Sequence, residues 1–417
     1  MSDLENSEKV SYAVFFCTLV VVLLTLTPVI FPALFSSFFG LFTENLNPFE
    51  LGYQSIFLIV SNVVIFGFGI AYYKKKIPSL VSNGIEKIRT FEIPKKTAIV
   101  SLAVILIVYI GLSTPELFLN ESTSWSDYDE VLLPALEIWP FGQFDSLSTD
   151  PFMEVYIKEQ NDRYVRMFLL DVSLDIFQNI KLLPFVASIL VVVFTYLVTV
   201  QFCQKRFAGI IAVIVLLQCY TFLKFDTIAV YENFWILFFL ISLYAIQKKW
   251  FLSPVFYILA FFTKAYVAPF FLMILFTTYR SQISRRTKIA ILISYIVAIT
   301  LTVLLVFLAD TMYPQLIDIN YSKLMLGFQT IAAQLRFDFF FIMALLPETV
   351  GLMLLSKNKL KHADSILILI FGTILVGVAV GMFTAYVNIL MYRFIPLLVF
   401  FSIGMGMFFS KKLVHNS

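Results

Sequence analysis

Long apolar runs separated by short charged clusters dominate the chain. A helix needs about 20 largely apolar residues to cross a bilayer. Runs of that order lie at 11–38, 51–73, 97–113, 182–202, 208–223, 233–247, 289–309, 337–355, 365–385 and 390–409. The pattern predicts an all-α polytopic membrane protein. The stretch 252–279 is less simple: 28 apolar residues broken by Lys264 and Pro269, too long for one span and short for two.

Charge decides how that stretch is read. Lys and Arg of short loops concentrate on the cytoplasmic side. Lys248 and Lys249 precede the stretch, and Arg280, Arg285, Arg286 and Lys288 follow it. Both clusters stay inside only if the chain goes out and returns, with Lys264 near the outer tip. A single pass would push those last four bases outside together with Lys357, Lys359 and Lys361. The expectation is two short broken segments, about twelve transmembrane helices, and both termini in the cytoplasm of a multi-pass cell-membrane protein. The inner side then carries 21 of the 30 Lys and Arg and 6 of the 27 Asp and Glu. Residues 1–9 hold three acids and one lysine, and the run after them is too long for a signal-peptide core. It is read as a first spanning helix.

Composition supports the same class. Apolar residues make up 60% of the 417, charged residues 14%, and the mean hydropathy is +0.90. Soluble domains have about 45–50% and about 25%, so a string of soluble domains is excluded. Two histidines, His362 and His415, argue against a His-built metal centre or a Ser/His triad. Cys17, Cys203 and Cys219 form no CxxC site and no disulfide framework. The net charge of +3 comes with no basic aromatic patch, so nucleic acid is not an expected partner.

One connection stands apart. Residues 114–180, 67 in number, lie outside between the third and fourth spans. A long structured loop among short ones is a functional candidate. It is rich in acids, among them Glu116, Glu121, Glu137, Asp145 and Asp150. Near its end Tyr164, Phe168, Leu169, Val172, Ile176 and Phe177 recur at helical spacing, with Arg163, Arg166, Asp171 and Asp175 between them. That pattern predicts an amphipathic helix suited to a membrane surface. A second such segment, with Ile77, Leu80, Ile85 and Ile88 among basic residues, is expected on the inner leaflet.

Candidate chemistry follows from charge position. Asp127, Asp129 and Glu130 sit shortly after a span, where a carboxylate can take the proton of an attacking hydroxyl; the same acids also suit a solvated loop face. Asp226 and Glu232 are the acids of a short outer connection, as supporting groups or as ordinary helix caps. Asp171 and Asp175 share a helix face but lack the asparagine-rich partner of a magnesium-binding pair. Lys264 and Arg393 lie within or at the edge of apolar spans, where a charge costs a few kcal/mol and marks a polar cavity. Arg393 equally suits snorkelling, and Glu348, after Pro347, suits an ion pair or a cavity wall.

Taken in order, these features resemble the glycosyltransferase-C superfamily, in particular its protein O-mannosyltransferase and aminoarabinose transferase branches. The match runs from about 97 to 409. It comprises a span followed by Asp127-Tyr-Asp129-Glu130, the basic turn Lys205-Arg206-Phe-Ala208-Gly209, Asp226 through Lys249, Phe262-Thr263-Lys264, and Tyr392-Arg393-Phe394-Ile-Pro396. Two spans precede the matching region, and the stretch before the amphipathic helix reads Asn161-Asp162-Arg163-Tyr164 rather than the His-Pro-Pro-like signature of many relatives. The chain therefore divides into a two-helix membrane extension with a cytoplasmic surface segment (1–96) and a glycosyltransferase-C-like domain (97–417).

The resemblance implies a glycosyltransferase at the outer face that uses a polyprenyl-phosphate-linked sugar and a glycan, lipid or protein acceptor. It implies Asp127 or Asp129 as base, with inversion at the anomeric carbon. Lys264, Arg393, Arg163 and Arg166 would neutralise the departing phosphate. No cofactor and no metal are implied. A transporter or flippase would place its site near the midplane between inverted repeats, and no repeat is apparent. A non-catalytic assembly subunit is the other alternative.

Overall fold

The computed structural model describes residues 2–35, 47–121, 125–139, 163–308, 322–358, 360, 362–383 and 391–410. Asp145, Asp150, Asn161, Asp162, Lys359, Lys361 and His415 lie outside the described residues. Every regular element among those described is helical.

The chain opens with α1 (Ser2–Ile30), α2 (Ser55–Tyr73), α3 (Ser79–Thr90) and α4 (Lys95–Ser113). Helix α2 stops at the lysine run because Lys75 adopts a left-handed φ of 54°. The N–H groups of Lys74, Lys75 and Lys76 then close on the last carbonyls, which satisfies a helix end as a left-handed cap does. Pro78 and Pro94 stand at the starts of α3 and α4, where a missing N–H costs nothing.

A 3-10 turn at Thr114–Phe118 follows, then a π-helical turn at Tyr128–Leu132, α5 (Leu133–Ile138) and α6 (Tyr164–Phe177). Next come α7 (Leu182–Cys203), α8 (Arg206–Leu217), α9 (Tyr220–Lys224), α10 (Phe234–Lys248), α11 (Leu252–Thr263) and α12 (Phe270–Arg280). The chain continues through α13 (Arg285–Leu308), α14 (Ser322–Leu335), α15 (Phe339–Lys357), α16 (His362–Phe383) and α17 (Ile395–Met407).

Among the described residues, seven helical segments are long and apolar enough to cross a membrane: Glu8–Ile30, Ser55–Tyr73, Lys95–Phe118, Leu182–Cys203, Arg285–Leu304, Phe339–Lys357 and His362–Ala379. Six further apolar helices among the described residues are shorter. On α2, α4 and α13 most apolar side chains are exposed, including Phe57, Val60, Val64 and Phe68 of α2. Water does not tolerate apolar faces of that extent, so these helices face lipid and the chain is a membrane protein. Helix α17 is the converse: it is apolar and almost wholly buried, as a central helix must be.

The stretch 252–279 breaks where the charge argument expects. Helix α11 ends at Thr263, Lys264 is extended with φ −158°, and α12 begins after Pro269. Tyr257 and Phe271, equidistant in sequence from Lys264, have rings 6.3 Å apart. The Tyr257 hydroxyl donates to the Ala268 carbonyl at 2.8 Å. The chain therefore folds back on itself. The expected run 208–223 is also interrupted, at Gln218–Cys219 between α8 and α9.

Helix α6 forms where the periodicity predicts it, with Phe168, Ile176 and Phe177 exposed. Arg166, expected on its polar face, instead turns into the protein and is 2% exposed. Burying a guanidinium is tolerable only when it is hydrogen-bonded, and the partners are given below. Glu348 is buried beside Gly404, and neither carboxyl oxygen has a hydrogen-bond partner among the described residues.

At one end of the bundle Arg280 of α12 donates to Asp364 of α16. Ser11 of α1 donates to the same carboxylate at 2.7 Å, and Ser356 of α15 donates to Ser11 at 3.2 Å. Four helices meet in that cluster. The opposite end is where α4 finishes, α7 and α10 begin, and α11 turns into α12.

Candidate functional site

The connection between α9 and α10 is unusually polar for a buried segment: Asp226, Thr227, Glu232 and Asn233 are all at most 3% exposed. Buried polar groups need partners, and here they come from four directions. Ser113, at the end of α4, donates to Asp226 Oδ2 at 2.7 Å. Ser188 of α7 donates to the Asp226 carbonyl at 2.7 Å, and Asn233 donates back to Ser188 at 2.9 Å. The Glu121 carboxylate accepts the backbone N–H groups of Ala229 and Val230 at 3.0 and 2.7 Å. Arg166 of α6 donates to Glu232 Oε2 at 2.8 Å and to the Val230 carbonyl at 2.9 Å.

Burial raises the Asp226 carboxyl to about 7, against the hydrogen bond from Ser113 and the Tyr109 hydroxyl alongside, and Glu116 adds a smaller upward push. Burial also raises Glu121, against its two backbone N–H bonds and the charges of Lys181 and Arg166. The groups that hold this connection therefore resist ionisation more than surface acids do.

What the connection presents is Tyr231. Its hydroxyl donates to Asp127 Oδ2 at 2.7 Å. Its ring stacks on Tyr392 with centroids 4.4 Å apart, and Trp125 meets it edge-on at 4.9 Å. Lys264 Nζ lies 4.0 Å above the Tyr392 ring and 5.8 Å from Trp235. Such contacts with aromatic faces hold a cation in a desolvated place. The extended backbone at Lys264 makes this possible, because it carries the side chain out of both helices toward Tyr392. Arg393, in the short turn before α17, donates from Nε to the Tyr392 hydroxyl at 3.4 Å. Arg163 precedes α6, whose first residue Tyr164 packs on Phe262 of α11 at 6.2 Å. Arg163 and Arg393 both interact electrostatically with Lys264 and Tyr392.

The expected site residues thus separate. Asp127, Lys264, Arg393 and Arg163 gather around the Tyr231–Tyr392 pair, with Glu232 in electrostatic range of Lys264. Asp129 and Glu130 are exposed on the adjoining turn. Among the described residues no hydrogen bond or ion pair ties those two to the cluster. Arg166 and Glu232 pair with each other, and Asp226 bonds to Ser113 rather than to a cation. Three participants were not singled out by sequence reasoning: Tyr231, Trp235 and Glu121 as the clamp of the connection. The available signal was Tyr231-Glu232-Asn233 directly before an apolar run that starts Phe234-Trp235.

Three cations thus lie around one buried tyrosine, beside a half-buried carboxylate. Among the described residues no group of three His, Cys, Asp or Glu is arranged to hold a metal ion. No family model matches the chain, and no curated protein or solved structure shows significant similarity to it.

Proposed function

We propose that the chain is a membrane glycosyltransferase that moves a sugar from a polyprenyl-phosphate donor to an acceptor hydroxyl at the outer membrane face. The observation that carries this reading is the convergence of Lys264, Arg393 and Arg163 on Tyr392, with Asp127 reached through Tyr231. A topology of about twelve crossings, with both termini in the cytoplasm, sets this end of the bundle outside.

In this reading the lipid phosphate rests between Lys264 and Arg393, the arginine gripping two oxygens with its planar fork and the lysine acting as a point charge. The acceptor oxygen attacks the anomeric carbon from the side opposite the phosphate, so the configuration inverts. The bond from the anomeric carbon to the phosphate oxygen breaks, and its electron pair leaves with the polyprenyl phosphate. Asp127 takes the hydroxyl proton. The cations stabilise the negative charge that grows on the leaving phosphate, the role a metal fills elsewhere. Helices α11 and α12 are apolar, which suits the polyprenyl chain.

Binding of a polyprenyl phosphate to the purified protein in detergent tests the reading. Lys264→Met removes the point charge, and Arg393→Lys keeps charge but loses the fork. Each should weaken binding by about tenfold or more, the size of one charge-assisted hydrogen bond. Unchanged affinity in both variants would overturn the lipid-phosphate site.

A further inference from the structure

Helix α3 carries an apolar face that protein leaves largely uncovered. None of its twelve residues is buried, and Leu80, Val81 and Ile88 are exposed, Leu80 at 82%. At helical spacing Leu80, Val81, Gly84, Ile85 and Ile88 share one face, while Ser79, Asn83, Glu86, Lys87 and Thr90 occupy the other. Basic residues bracket the helix. Lys74, Lys75 and Lys76 precede it, Lys87 and Arg89 lie within it, and Lys95 and Lys96 follow; the six lysines are all exposed. The acids of the same stretch are Glu86 and Glu92, and Glu92 Oε1 already accepts the Arg206 N–H at 3.1 Å.

The position of the helix is fixed by its neighbours. It joins the end of α2 to the start of α4, two helices whose apolar flanks face lipid. The lysines at the ends of those helices therefore lie at the boundary between acyl chains and water. The C-terminal end of α3 is tethered there. Phe91 packs on Phe207 at 5.1 Å, and the Arg89 carbonyl accepts from Lys205. A tethered helix at that level, apolar on one face and edged with bases, has the chemistry of an anionic lipid surface on both counts.

We propose that α3 and its flanking lysines form a binding surface for anionic phospholipids. The apolar stripe enters between acyl chains, and the lysines pair with headgroup phosphates. The inference needs only the membrane character of the chain and is independent of the proposed transferase activity.

The test uses the full chain with Cys17→Ser and Leu80→Cys, carrying an environment-sensitive fluorophore at position 80. Single copies are placed in nanodiscs of phosphatidylcholine with or without phosphatidylglycerol. The expected result is a blue shift and roughly threefold weaker quenching by neutral acrylamide in the anionic discs, relieved by high salt as screening requires. Replacing Lys74, Lys75 and Lys76 by Gln should reduce the difference between the two lipids, while Lys248→Gln with Lys249→Gln should not. Equal shielding in both lipids would overturn the proposal, leaving simple apolar partitioning. Shielding that appears only with two copies per disc would overturn it in favour of a self-contact.

Discussion

Asp127 differs from its neighbours Asp129 and Glu130 in what its carboxylate touches. A hydrogen bond from Tyr231 fixes its orientation, and a positioned base typically contributes about 10²–10⁴ in rate. If the proposed sugar transfer holds, Asp127→Asn should lose turnover in that range in a donor-consumption assay, with donor binding retained. Asp129→Asn should stay near wild type, and the reverse ranking would move the base to the exposed position. Asp226 has a different signature. Its raised carboxyl holds a proton in the folded protein that an unfolded Asp releases near pH 4. The stabilisation is full below that value and is lost as pH rises through about 7. Asp226→Asn cannot ionise, so its apparent melting temperature should gain on wild type as pH goes from 5 to 8. A difference independent of pH would contradict the assignment. The cations of the site were legible in the sequence, because a charge inside an apolar run is conspicuous. Which acid meets the cluster was not, since that contact runs through Tyr231, 104 positions from Asp127.

At the level of elements, most helices follow from hydropathy alone, and the return at Lys264 follows from the charges on either side of it. Arg166 does not. Periodicity assigned it to a polar face, and the buried Glu232 with the Val230 carbonyl explains why it turns inward. Close packing was equally invisible. A Cβ added at Gly406 of α17 would lie 2.7 Å from the Ala208 carbonyl of α8 and 2.8 Å from Thr199 Cγ2 of α7. The obstructing carbonyl belongs to a helix backbone and cannot rotate aside. Small residues at helix contacts in membranes permit this kind of approach. Gly406→Ala should destabilise by about 1–3 kcal/mol, the usual cost of overpacking. Gly67→Ala on lipid-facing α2 meets nothing within 4 Å. It should be neutral or gain up to about 1 kcal/mol from helix propensity. Thermal unfolding of the two variants in one detergent checks the contrast, and equal effects would mean that α7, α8 and α17 move apart at little cost.

For the molecule as a whole, sidedness is the property that charge bias predicts and geometry alone does not fix. In a Cys17→Ser background, a cysteine at Glu137 should react with an impermeant thiol reagent applied to intact cells. One at Lys76 should not, and the opposite pattern would invert the topology. The cluster of Ser11, Arg280, Ser356 and Asp364 bears on how such a bundle is made. Ser11 and Asp364 are 353 positions apart, so α1 is synthesised long before the helix it binds. The early helices α1, α2, α4 and α7 are individually long and apolar enough to span the bilayer, and can wait there without partners. The shorter α8, α10, α11 and α12 emerge only after α7, when a neighbour exists to shelter them. Chain order thus bears on assembly: the self-sufficient α1, α2, α4 and α7 precede the short α8, α10, α11 and α12, and the contact between α1 and Asp364 forms only once α16 has emerged.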